Sequence, residues 1–411
     1  MRPLTYLIAA ALLLPLLNCF AESRPFAIAP TGQRSCYDTR GTIVACAGSG
    51  QDASFATTPL RYRDNADGTV TDLITGLMWQ KQLGTKLTWR DAGHGAGTLT
   101  LGGHSDWRLP TIKELYSLMD FSGNSPMPGR SGKPYIDGVF EFRYGDTAAG
   151  ERPIDAQFWS ATEYVGLTME RIPTAFGVNF ADGRIKGYPK ALPGRGEHRM
   201  FVRYVRGNPD YGRNNFRDNK NGTVTDLATG LMWLQADSAE LKAGPKADGQ
   251  LDWPQALAWA AQMKLAGYGD WRLPNAKELQ SIVDYGRSPQ TNGKAAIDPI
   301  FRSSLIGVEG GRQGYGFYWT STSHLDGPRP GSDAIYIAFG EALGFMRSPW
   351  TNNQARLMDV HGAGAQRGDP KQGNPADHPM GMGPQGDVRR IYNLVRLVRN
   401  TDGSKSSGSE K

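Results

Sequence analysis

The pattern of apolar and polar positions along this chain occurs twice. Ala175 to Phe180 alternates in the manner of a half-buried strand, and so does Ala334 to Phe339. Leu115, Leu118 and Met119 share one helical face, and Leu279, Ile282 and Val283 repeat it. Both helices have the same start signal. Thr111 or Asn275 stands at the N-cap, and Glu114 or Glu278 three residues later completes a capping box. Pro110 and Pro274 keep Leu109 and Leu273 extended, so each helix is entered from a strand-like segment. Aromatic strand signals follow at Phe158 to Thr162 and at Tyr318 to Thr322.

Read in order, the duplication covers most of the chain. Each copy opens on a hairpin with an Asp67-Gly68 or Asn221-Gly222 turn. A turn into a buried strand follows at Thr75 to Trp79 and Thr229 to Trp233. In copy two a first helix is clear, with Asp252 as cap, Pro254 in the first turn and an end near Leu265. In copy one Gly93, Gly95 and Gly97 interrupt the same place and predict a short or frayed helix. Each copy closes on a basic aliphatic strand, Val202 to Arg206 or Val395 to Arg399. Tryptophans 79, 89, 107 and 159 pair with 233, 253, 271 and 319. The expected layout is a leader at 22–60, a first unit at 61–207, a linker at 208–213 and a second unit at 214–400, with a disordered tail at 401–411. Copy two carries an insert of about 347–389 that copy one lacks. Each unit owns a full set of core residues and is expected to fold independently.

The N-terminus changes the setting. Arg2 precedes an apolar run, Leu4 to Leu17, that is too short to span a bilayer, and small residues suit cleavage after Ala21. Residues 1–21 therefore read as a signal peptide and the protein as exported: periplasmic, on the outer surface or secreted. Cys19 offers a lipoprotein alternative, but the bulky Asn18 fits that poorly. In an oxidising compartment Cys36 and Cys46 are expected to close one small disulfide hairpin, the single ordered feature of an otherwise mobile leader. The formal charge of +6, or +5 without Arg2, falls short of a nucleic-acid-binding balance. Asp64, Asp67 and Asp72 invite a calcium reading. Their spacing lacks the alternate-position pattern of a calcium loop, and a turn explains both copies. The six histidines are scattered and no nucleophile elbow is present, so no catalytic residue, metal or cofactor is expected.

The ordered set Asp-Asn-x-x-Gly-Thr-Val-Thr-Asp, Thr-Gly-Leu-Met-Trp, Trp-Arg-Leu-Pro, [Phe/Tyr]-Trp-[Ser/Thr]-x-Thr and Val-Arg-x-Val-Arg resembles the Lcl C-terminal domain family, named from a bacterial collagen-like adhesin. The resemblance implies an α+β fold of two tandem C-type-lectin-like domains, each with short mixed strands, two helices and long irregular loops. The collagen-like repeat itself is absent. The function this suggests is an exported, non-catalytic, adhesin-like binding protein that recognises a glycan, possibly an acidic one, or an envelope protein surface. Candidate contacts are Arg184, Lys186, Tyr188, Lys190 and Arg195 in a basic loop at 182–199. In copy two they are Arg347, Trp350 and Arg356. The alternatives are a structural subunit of a surface assembly and, with less support, a lectin-like oxidase.

Overall fold

The structure is a computed structural model that describes residues 25–56, 58–192, 194, 196–347, 351–383 and 385–401. The expected signal peptide and residues 402–411 lie outside that set. Leader strands β1 (Cys36–Tyr37) and β2 (Ile43–Val44) form a hairpin closed by a Cys36–Cys46 disulfide, with Cα atoms 5.3 Å apart. Helix α1 (Asp52–Phe55) follows.

In copy one, β3 (Tyr62–Asp64), β4 (Thr69–Asp72) and β5 (Met78–Gln80) form an antiparallel sheet. Its turn residues satisfy the backbone themselves. Asp67 accepts from Thr69 N at 3.0 Å, and Asp64 from Ala66 N at 3.0 Å. Asn221 does the same for Thr223 in copy two, which is the turn chemistry that the sequence indicates. Helices α2 (Trp89–Thr98) and α3 (Ile112–Ser117) come next, then β6 (Gln157–Glu163), β7 (Thr174–Asn179) and β8 (Arg184–Pro189). Strand β9 (Val205–Arg206) closes the copy beside β5. Copy two repeats this plan with β10 (Phe216–Asp218), β11 (Thr223–Asp226), β12 (Leu231–Leu234), α4 (Trp253–Gln262), α5 (Ala276–Ser281), β13 (Phe317–His324) and β14 (Asp333–Ala338). Strand β15 (Leu343–Met346) follows, and the insert adds β16 (Arg356–Asp359) and β17 (Gln366–Pro370) before the closing β18 (Val398–Asn400). Mixed strands with few, short helices make the fold α+β.

Helix α2 corrects one expectation. It spans ten residues, as α4 does. Thr88 caps it through Asp91 N, and Ala92 and Ala96 supply a buried face. Gly95 is needed for close approach, because a Cβ there would stand 2.3 Å from the Tyr204 hydroxyl oxygen. The glycines serve packing, and the packing offsets their low helix propensity.

The repeated motif is a self-contained corner. Arg108 pairs with Glu114, and Arg272 with Glu278, so each capping-box glutamate also anchors the strand that enters the helix. Asp106 meets Arg206 and Asp270 meets Arg399, each at 2.7 Å, which ties the motif to the closing strand. Arg203 and Arg396 are fully buried. Each donates to three backbone carbonyls.

The two copies share one framework. A six-stranded antiparallel sheet runs β13-β14-β17-β8-β7-β6, joined across the copies where Ile185 faces Gln366. The insert therefore supplies the second copy's central strand. One core contains Leu115, Phe158 and Phe176 together with Leu279, Tyr318 and Ile335. Helices α3 and α5 exchange lysines. Lys113 Nζ donates to the Ser281 carbonyl and Lys277 Nζ to the Ser117 carbonyl, both at 2.7 Å. The expectation of two independently folding units took no account of this shared sheet and core.

The leader and linker are also built in from residue 25 on. Phe26 packs on Tyr211 of the linker with ring centres 5.0 Å apart, and Asn208 donates to the Pro25 carbonyl. Gln33 brackets Ser323 with two 2.8 Å hydrogen bonds, one to its carbonyl and one from its N–H. Gln33→Ala would leave both of those buried backbone groups unpaired. We expect a loss of about 1–3 kcal/mol, read as a lower urea midpoint with an unchanged slope.

Candidate functional site: a basic seam between the copies

The basic stretch predicted as a loop contains strand β8, which runs through the centre of the shared sheet. Arg184, Lys186 and Tyr188 alternate with Ile185 and Gly187, so they lie on one face of it. Arg184 is not free. It pairs with Asp182 at 2.8 Å and also with Asp326, which belongs to copy two. Tyr188 is buried and its hydroxyl finds no hydrogen-bond partner among the described residues. Lys190 lies 3.9 Å over the Trp89 ring and pairs with Glu163. Arg195 and Trp350 lie outside the described residues.

Copy two completes the seam with residues from its insert. The Gly187 N–H donates to the His361 carbonyl at 2.8 Å. His361 Nε2 lies 2.6 Å from an Asp387 carboxylate oxygen and 2.8 Å from the Arg367 guanidinium. Arg367 in turn pairs with Asp387. Burial first, and then Arg367, push the His361 imidazole down to about 3, so the ring is neutral. Burial pushes the Asp387 carboxyl up, but Arg367 and His361 outweigh it and hold the group below its usual range.

Lys186 differs from its neighbours. It is partly exposed and has no hydrogen-bond or ion-pair partner among the described residues. Burial, then the nearby Arg367, pushes its ammonium down to about 8. Of the cations Arg184, Lys186, Lys190 and Arg367, Lys186 alone lacks a counter-ion. Arg347 and Arg356 are exposed and sit close together at the tip of the β15–β16 hairpin, where Met346 pairs with Arg356. No hydrogen bond or ion pair among the described residues joins that tip to β8.

The sequence reading missed Arg367, His361, Asp387 and Asp326. Three of these lie in the insert, where the duplication offers no partner for comparison. Gln366 to Asp369 holds no apolar alternation that would mark a strand. Among the described residues, no three His, Cys, Asp or Glu side chains converge as a metal site.

The Lcl C-terminal domain profile matches residues 68–206 and again 222–359. The chain belongs to the Lcl C-terminal domain family. No curated protein and no solved structure matches it. The first match reaches its closing strand β9. The second ends before β17, so the strand that carries this tandem Lcl C-terminal protein's seam lies outside the second matched segment.

Two outcomes follow. Arg184→Ala would leave Asp182 and Asp326 without their cation and should cost about 3 kcal/mol in urea unfolding. It is therefore not the fold-neutral change that an exposed loop would permit. His361 takes a proton near 6.5 when unfolded but only near 3 when folded. The folded state binds fewer protons between these values, so this contribution is complete above pH about 6.5 and lost as pH falls. His361→Asn should flatten the decline in unfolding temperature between neutral and acid pH.

Proposed function

We propose that this chain is an exported, non-catalytic binding protein of the cell envelope that holds an acidic glycan or a protein surface at the seam between its copies. The observation that supports this most is Lys186, a partly exposed ammonium without a counter-ion beside Arg184 and Arg367. An anionic group placed there would compensate a charge that the protein leaves open. Arg347 and Arg356 offer a second exposed contact on the β15–β16 hairpin. The seam also suits a structural subunit of a surface assembly, since the open charge of Lys186 would serve a protein partner equally. Short helices and short mixed strands in each copy fit the C-type-lectin-like arrangement that the family resemblance implies. Export rests on the apolar run near the N-terminus. No helix among the described residues is long and apolar enough to cross a membrane.

The test is retention of Lys186→Gln on an immobilised acidic polysaccharide across a salt gradient. The variant should elute at lower salt than wild type, with an unchanged unfolding temperature, because no fold contact is removed. Identical elution of the two proteins at low and at physiological salt would remove the basis of the proposal.

A further inference from the structure

The leader covers a second feature that the seam does not use. Beneath it lies a cavity of about 400 Å³, lined by leader residues Ile28 to Arg34, by α1 and by the Arg272 to Glu278 corner of copy two. That volume is within the range of small-molecule pockets and at its lower end. The charges lining it are unevenly matched. Arg272 is committed to Glu278 through two hydrogen bonds of 2.7 Å and lies 5.4 Å from the Phe55 ring. Asp52 is only 4% exposed. It accepts a 2.6 Å hydrogen bond from the Thr322 hydroxyl, yet no cationic side chain pairs with it among the described residues. Arg34 is exposed at the opposite extreme of burial and has no hydrogen-bond or ion-pair partner among the described residues.

One cavity thus presents a sequestered carboxyl and an outer guanidinium, both without a counter-ion. Burial pushes the Asp52 carboxyl up to about 6, the direction expected where no cation compensates it. A neutral sugar would leave both charges open, and a simple anion or cation would satisfy one only. A molecule that carries both charges would satisfy the two together. A primary ammonium brings three donors to a carboxylate, and a guanidinium takes a carboxylate in a planar fork. Phe55 adds an apolar surface for the part between.

We propose that this cavity binds a small zwitterion, a free α-amino acid or a short peptide, with its ammonium on Asp52 and its carboxylate on Arg34. The site is separate from the seam, so its occupancy does not depend on Lys186. Calorimetric titration of the full-length exported protein with the free amino acids and a set of dipeptides tests it. At least one of these should bind. N-acetylation or C-terminal amidation of that ligand should weaken binding roughly tenfold or more. Arg34→Gln, an exposed change, should weaken it by a similar factor with no change in unfolding temperature, and Asp52→Asn should weaken binding by a similar factor. Lys186→Gln should leave it unaltered. The proposal is overturned if no member of the panel binds, if the blocked derivatives bind as tightly as the free ones, if Arg34→Gln binds like wild type, or if monosaccharides bind where amino acids do not.

Discussion

Two lysines exchanged between two short helices organise this molecule. Helices α3 and α5 are six residues each, too short to persist on their own. A helix C-terminus leaves carbonyls without partners and carries partial negative charge. Lys113 completes the end of α5 through Ser281, and Lys277 completes the end of α3 through Ser117. The same ammonium groups hold the connecting chain. Lys113 also takes Gly212 and Asn214 of the linker region, and Lys277 takes the Pro30 carbonyl of the leader at 2.6 Å. Both lysines occupy the same place in the repeated Trp-Arg-Leu-Pro stretch, so one duplicated residue type ties two copies, the leader and the linker into a single framework.

That exchange explains what the sequence could and could not show. Capping boxes at Thr111 and Asn275, the Asx turns and the Cys36–Cys46 bridge depend on neighbours within a few residues, and local patterns reveal them. The alternation around Ala175 and Ala334 gave the strands but not their partners. The pairing of Ile185 with Gln366 depends on an insert without a counterpart in copy one. The glycines of α2 predict fraying because the need for Gly95 lies in Tyr204, far along the chain. Composition predicts a mobile leader, whereas Gln33 binds Ser323 and Asp52 binds Thr322, both distant in sequence.

The candidate site was legible in the same proportion. Arg184, Lys186 and Tyr188 do share a face, but Asp326, one of the two carboxylates on Arg184, and Arg367 come from copy two. Arg184 serves the joint, and Lys186 is the neighbour left with an open charge. The leader cavity follows the same rule. Its Asp52 and Arg34 come from a segment that looks featureless in sequence, and they acquire meaning only where that segment lies on the Arg272–Glu278 corner. Both arrangements of charge arise because separate stretches of chain are held against one another.

The most direct test of this account is hydrogen exchange across a urea series, followed on peptides that contain α3 and α5. If the exchanged lysines and shared core make one cooperative unit, both helices lose protection at the same urea concentration. Lys277→Met should then lower that midpoint equally for the two. Separate transitions for α3 and α5, or a Lys277→Met effect confined to copy two, would contradict it.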